Sequence, residues 1–160
     1  MLTPTAVPVS ISFTINAGFS YLRIVCAAIR GVLLDYDVPN ETRYAVDLAI
    51  TEAATNIIKH GYLQRLHEEI KFILTIQSNM LEIIIKDHGQ SIPDNYFSQA
   101  DGRVFDFDRD DIFSLPEHGM GLSLIKQSVD HVEYRTIDGE NWLTLAINYV
   151  PNLYAPNASK

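Results

Sequence analysis

The chain has 160 residues, of which 47% are apolar, and this length and composition suit the core of one domain. Its formal net charge of −8 is not offset by a basic stripe, which excludes nucleic acid and anionic membrane as main partners. Proteins or a nucleotide are therefore the expected partners.

The sequence carries no pattern typical of export or of a membrane span. Its N-terminus lacks a basic start and is broken by Pro4 and Pro8, so it does not predict a signal peptide. The strongest apolar segment, residues 19–34, is interrupted by two arginines, which argues against a spanning helix. The one cysteine, Cys26, can form no internal disulfide. We therefore expect a cytoplasmic protein.

The first part of the chain predicts one strand and two helices. Residues 7–15 alternate apolar side chains with Ser and Thr, a period typical of a half-buried strand. Residues 19–36 carry apolar side chains at helical spacing, which indicates an amphipathic helix. A loop follows, in which Asn40 is a candidate helix cap. Residues 45–62 then predict a second helix, ended by Gly61.

The second part predicts two strand pairs with a helix between them. Residues 69–86 form the first pair, residues 121–129 the helix, and residues 132–150 the second pair around an Asp-Gly turn. Residues 98–117 have no sustained period, and such a long segment is typical of a lid or binding loop. The tail after Pro151 is predicted to be disordered.

These elements together predict an α/β (α+β) two-layer sandwich. Three helices would cover one face of a mixed, largely antiparallel sheet, because most strands are joined by hairpins. Residues 1–150 would form a single domain, and residues 151–160 a disordered tail.

The helix over residues 45–62 carries the first candidate site. Its apolar stripe turns toward the core, and Glu52 and Asn56 lie one turn apart at the edge of that stripe. A carboxylate there can accept a proton, and a carboxamide oxygen can bind a hard cation. Lys59 and His60 add positive or switchable charge nearby. Solvated side chains on a helix flank are the alternative.

The segment Asp87-His88-Gly89 directly follows an apolar strand and is the second candidate site. A carboxylate fixed at a strand end can accept a hydrogen bond from an exocyclic amine such as that of adenine. A glycine beside it lets the backbone pass close to a flat ring. The same residues are also common in plain turns.

The third candidate site is Gly119-Met120-Gly121-Leu122, which opens a helix. Free N–H groups and the positive end of the helix dipole favour an anion at this point, and a triphosphate is the expected ligand. Paired glycines also occur as ordinary hinges.

In this order the three segments resemble the Bergerat-type ATP-binding fold of the GHKL superfamily, which gyrase, heat-shock chaperones, histidine kinases and mismatch-repair ATPases share. The resemblance covers residues 13–149 and is closest to the stand-alone serine kinases of switch proteins that double as anti-sigma factors. It implies a histidine-kinase-like ATP-binding domain with an ATP lid, and ATP and Mg²⁺ as cofactors.

The resemblance also implies roles for single residues. Glu52 would be catalytic, Asn56 would bind the metal, and Thr144 would support Asp87, the residue that selects the base. The ATP-binding residues would be Asn56, His60, Asp87, Gly89, Ile92, Gly119, Met120, Gly121, Leu122 and Thr144. Two departures from the family pattern are Ser91, where a second glycine is usual, and Glu117, near which an arginine is common.

The function implied by the resemblance is a serine/threonine protein kinase. It would phosphorylate an anti-sigma-factor-antagonist-like protein and sequester a sigma factor or a comparable regulator, with a homodimer common in this branch. Because no transducer or phosphoacceptor-histidine segment is evident, we expect a stand-alone kinase. Two alternatives stay open: a nucleotide-dependent binding module without kinase activity, which Glu117 favours, and a globular domain that binds no nucleotide.

Overall fold

The computed structural model describes residues 7–93 and 120–151. In these residues five strands form one sheet in the spatial order β1-β2-β3-β5-β4, and all four pairings are antiparallel. The strands are β1 (Val9–Asn16), β2 (Glu69–Ile76), β3 (Met80–Asp87), β4 (His131–Ile137) and β5 (Glu140–Asn148).

The helices of the described part all contribute to the layer on one face of this sheet. They are α1 (Phe19–Asp35), α2 (Asn40–Asn56), a π-helical turn that continues α2 (Ile57–Gly61), and α3 (Met120–Ser128). The predicted two-layer α/β class is confirmed. The word "mixed" is corrected, because every strand pair among the described residues is antiparallel.

The start of α2 differs from the prediction by one position. The residue before the helix is Pro39, and Asn40 is already helical. The Asn40 side chain accepts a hydrogen bond from Arg43 instead of capping a backbone N–H. The expectation that Asn40 is the cap is therefore wrong.

The two-residue period of the strands decides which side chains enter the core. On β3, Ile83 and Ile85 are buried against the helices, whereas Ile84 between them lies half-buried on the other face. Phe72 and Leu74 of β2 continue the same buried layer. The core therefore lies between the sheet and the helices, and no described helix covers the outer face.

Several predictions fall on residues that are not described. The lid over residues 98–117, Gly119 and residues 152–160 belong to this group, so the lid, the disordered tail and the single-domain boundary stay predictions. In the described ranges, no helix has the length and apolar character needed to cross a bilayer.

We predict that Ile83→Ala destabilises the protein by about 2–5 kcal/mol, because it leaves a cavity in the closed core. Ile84→Ala is the matched control, and its cost should be clearly smaller because that side chain is only half-buried. Urea unfolding of both variants measures the difference, and equal losses would contradict the assigned faces.

Candidate functional site

A cavity of about 530 Å³ lies between α2, the π-helical turn, the segment after β3 and the start of α3. The three predicted segments meet in it. Its lining includes most of the described residues that the sequence analysis selected: Glu52, Asn56, His60, Asp87, Ile92, Met120, Gly121 and Leu122.

The first turn of α3 lies against the polar edge of α2. A Cβ atom on Gly121 would lie 2.9 Å from Oε2 of Glu52 and 3.2 Å from Nδ2 of Asn56. A larger residue would have to displace these side chains. Glycine at this position therefore lets the acid, the amide and the beginning of α3 share one corner of the cavity.

The residues after Asn56 leave the α-helical path that the sequence predicted. The N–H of Tyr62 donates to the carbonyl of Ile57 at 2.7 Å, a bond across five residues that defines the π-helical turn. Lys59 and His60 are exposed and line the cavity. Sequence periodicity missed this turn because its extra residue per turn carries no compositional signal. The charges of Lys59 and His60 were expected near the site, and both residues do line the cavity.

Asp87 is held in place by a buried amide. The residue is only 5% exposed, and its Oδ1 accepts hydrogen bonds from the N–H of Gly89 at 2.7 Å and from Nδ2 of Asn141 at 2.9 Å. Every hydrogen bond that the described residues give Asp87 ends on Oδ1. Oδ2 accepts no hydrogen bond from the residues that the structure describes. Burial raises the pKa of Asp87, and the bonds from Asn141 and Gly89 offset part of this rise.

Asn141 uses both ends of its side chain. Its Nδ2 also donates to the carbonyl of Gly89 at 3.0 Å, and its Oδ1 accepts from the hydroxyls of Ser91 at 2.8 Å and Thr136 at 2.9 Å. Ser91, the departure from the family glycine, thus fixes the amide that fixes Asp87. Beside it, the N–H of Ile92 donates to the hydroxyl of Tyr134 at 2.9 Å.

The role expected of Thr144 is corrected. Thr144 faces the outer side of β5, does not line the cavity, and pairs with Ile84 in the neighbouring strand. Asn141 occupies the inner face and supports Asp87 instead. The signal was available in the sequence, because the apolar residues Leu143, Leu145 and Ile147 recur at every second position. Asn141 shares this two-residue register and Thr144 does not.

The reason expected for Gly89 is also corrected. A Cβ atom there would lie 2.7 Å from the carbonyl carbon of Gly61 and 2.8 Å from its oxygen. The N–H of Gln90 donates to that same oxygen at 2.9 Å. Gly89 does not line the cavity, so its missing side chain makes room for the backbone of Gly61 and not for a flat ring.

The residues present fit a magnesium ion that is held jointly with phosphate. Glu52 and Asn56 supply hard oxygen atoms side by side at the start of α3. Among residues 7–93 and 120–151 there is no group of three or more His, Cys, Asp or Glu that could hold a metal alone. Mg²⁺ commonly takes one or two protein ligands and completes its shell with phosphate oxygens and water.

The fold and the cavity define the class of protein. Residues 15–147 match the family described as "Histidine kinase-like ATPase domain", and the chain belongs to this family.

Relatives place it within an RsbW-like branch. The serine-protein kinases RsbW of Bacillus thuringiensis and Bacillus anthracis are 30% identical to it over 129 residues, which are 81% of this chain and 79% of theirs. RsbW of Bacillus mycoides is 29% identical over 130 residues, with the same coverage. The resemblance inferred from the motifs is confirmed.

Two solved structures share the fold. The RsbU and RsbW domains of a Mycobacterium tuberculosis protein align with a TM-score of 0.57 and 16% identity, covering 87% of this chain and 32% of that one. The SiaB–SiaC complex of Pseudomonas aeruginosa aligns with a TM-score of 0.57 and 14% identity, covering 86% and 89%.

We predict that Gly89→Ala destabilises the protein by about 1–3 kcal/mol, because the new methyl group meets the backbone of Gly61. Gly31→Ala is the matched control. Gly31 lies at an exposed position of α1, with nothing within 4 Å of the added Cβ. The substitution should therefore stabilise the protein by about 0.5–1 kcal/mol. Thermal and urea unfolding measure both, and a Gly89→Ala variant as stable as the parent would show that the contact is not tight.

We also predict that Asp87→Asn makes the nucleotide-free protein more stable at neutral pH. Because the pKa of Asp87 is raised in the folded state, its stabilising contribution is present below the unfolded pKa and is lost as pH rises through the folded pKa. The stability difference between variant and parent should therefore shrink as pH falls toward about 4. Urea unfolding across this pH range tests the sign, and a difference that grows on acidification would contradict it.

Proposed function

We propose that this chain is an ATP-dependent serine/threonine protein kinase. Its substrate would be an anti-sigma-factor-antagonist-like protein. When it is free of that substrate, it would sequester a sigma factor or a comparable regulator in the cytoplasm. The observation that carries the proposal is the convergence of Glu52, Asn56 and Asp87 on one cavity beside the start of α3. The named function of the Bacillus relatives supports the same reaction.

The adenine end of the nucleotide would lie at Asp87. Oδ1 is occupied by Gly89 and Asn141, so Oδ2 would accept the hydrogen bond from the exocyclic amine. Ile92 and Leu143 supply apolar contact surface in the same cavity. Guanine carries an oxygen where adenine carries this amine, so the pocket would select adenine.

The phosphate end would lie between α2 and α3. The N–H groups in the first turn of α3 and the positive charge of Lys59 favour phosphate oxygens, and His60 lines the same cavity. Asn56 would ligate Mg²⁺, which when bound neutralises charge on the phosphate oxygens. These groups would orient the terminal phosphate toward Glu52.

Glu52 would act as the general base. Its carboxylate would accept the proton of the substrate serine hydroxyl while the serine oxygen forms a bond to the γ-phosphorus. The bond from that phosphorus to the bridging oxygen breaks at the same time, and ADP leaves with the electron pair. The position of Oε2 at the α3 corner, beside Gly121, supports this role.

A protein partner is in keeping with the comparisons. The Pseudomonas aeruginosa protein of the same fold was solved in complex with SiaC, and the Bacillus relatives are named serine-protein kinases. The competing function, a nucleotide-dependent binding module without transfer, rests on Glu117, which lies outside the described residues.

We predict that incubation with γ-labelled ATP, Mg²⁺ and the antagonist-like proteins encoded nearby transfers label to serine. Glu52→Gln should lower the transfer rate by about 10²–10⁴-fold while ATP still binds, because only the proton acceptor is lost. Asn56→Ala should weaken Mg-ATP binding in calorimetric titration. Glu82→Gln, on the outer face of β3, is the matched control and should change neither quantity.

The same assay separates the alternatives. Nucleotide and partner binding without transfer would select the binding module. Absence of ATP binding would exclude both functions, and undiminished transfer by Glu52→Gln would remove Glu52 from the reaction.

A further inference from the structure

The two carboxylate oxygens of Asp87 have different surroundings. Oδ1 accepts both hydrogen bonds that the described residues donate to this side chain, one from the N–H of Gly89 and one from Nδ2 of Asn141. Asn141 lies directly opposite Asp87 in the antiparallel register of β3 and β5, so the sheet itself holds this donor in place. Any side chain of the same shape at position 87 therefore has to present an acceptor to these two donors.

The amide of Asn141 is held in one orientation by its neighbours. Its Nδ2 also lies 3.0 Å from the carbonyl oxygen of Gly89, which can only accept a hydrogen bond. A flipped amide would set its own oxygen against this carbonyl and against Asp87. On the other side, the hydroxyls of Ser91 and Thr136 donate to Oδ1, but hydroxyls can serve either orientation. The carbonyl of Gly89 therefore keeps the N–H groups of the amide turned toward Asp87.

The side chain of Asn141 is fully used within the protein. Its two N–H groups are bound by Asp87 and the carbonyl of Gly89, and its oxygen accepts from two hydroxyls. The residue is only 1% exposed and does not line the cavity, whereas Asp87 does. Asn141 can therefore act on a ligand in the cavity only through Asp87.

We infer that Asn141 is the positioning residue that makes Oδ2 of Asp87 the atom that reads position 6 of a bound purine. The inference rests on the proposed function, which places the base at Asp87. With a carboxylate at position 87, Oδ2 is an acceptor and pairs with the 6-amino group of adenine. With an amide there, the oxygen takes the place of Oδ1, because an NH₂ group would meet two donors. The NH₂ group then takes the place of Oδ2 and pairs with the 6-oxo group of hypoxanthine or guanine.

The contribution of Asn141 can be separated from that of the Gly89 N–H. Leucine has a similar volume and removes the donor from β5, so that the Gly89 N–H alone orients the side chain at position 87. The hydroxyls of Ser91 and Thr136 lie 3.2 Å apart and can bond to each other when the amide is removed. Asn141→Leu thus weakens the orientation of residue 87 without leaving these two hydroxyls unpaired.

The test compares ATP with inosine triphosphate (ITP), which carry an amino and an oxo group at position 6. Calorimetric titration of the full chain with Mg²⁺ should show that the parent prefers ATP by about 10–100-fold, because ITP sets two acceptors against each other. Asp87→Asn should reverse the order and prefer ITP by a similar factor. This variant keeps the shape of the side chain, and its circular dichroism should match that of the parent.

A double variant tests the role of Asn141 itself. Asp87→Asn combined with Asn141→Leu should prefer ITP clearly less than Asp87→Asn alone does, because one of the two donors that orient the amide is gone. Asn148→Leu in the same Asp87→Asn background is the matched control. Asn148 lies on the same strand and also donates to an aspartate, Asp130, at 3.3 Å, but it does not line the cavity. This control should leave the preference for ITP unchanged.

The outcomes separate this inference from the kinase proposal. An Asp87→Asn variant that loses ATP without preferring ITP would overturn the inference, as would a double variant that keeps the full preference. If Asn141→Leu prevents folding, the Asp87→Asn variant decides alone. In these cases ATP binding and phosphate transfer by the parent still support the kinase. A parent that binds no nucleotide would remove both.

Discussion

The backbone contact between Gly61 and Gly89 joins the two halves of the candidate site. Gly61 ends the π-helical turn that follows Asn56, and Gly89 follows Asp87 at the end of β3. The hydrogen bond from Gln90 to Gly61 closes this joint. The buried hydroxyl of Tyr62 reinforces it from below, donating to the carbonyl of Glu69 and accepting from the N–H of His88. The acid and amide of α2 are thereby fixed relative to the aspartate of the sheet.

The same contact holds the carboxylate of Asp87 in a buried position, where its negative charge adds little to the stability of the protein. Burial disfavours the charged form of Asp87, and a hydrogen bond from the amide of Asn141 offsets part of this effect. The hydroxyls of Ser91 and Thr136 in turn donate to the oxygen of that amide. The hydrogen bonds that the described residues donate to Asp87 itself come from Gly89 and Asn141, and both end on Oδ1. Asp87 is thereby oriented toward the cavity that it lines.

The sequence predicted those features that repeat along an element. Helical and strand periods gave the elements and the layer arrangement, and the spacing of Glu52 and Asn56 placed both on one helix edge. It missed features that depend on contacts between distant segments. The π-helical turn has no periodic signature, and the crowding at Gly89 comes from Gly61, which is distant in sequence. The role of Thr144 was taken from the family pattern, although the two-residue period of β5 already placed its side chain on the outer face of the sheet.

The strand order separates the candidate site from the β1 edge of the sheet. Asp87 belongs to β3 and its supporting amide to β5, whereas β1 lies at the far side of β2. Neighbouring strands are about 4.8 Å apart, so two strand spacings lie between β1 and β3. The described lining of the cavity accordingly contains no residue of β1 or α1, and α1 reaches the site only through its contacts with α2, such as the ion pair of Arg30 with Asp47.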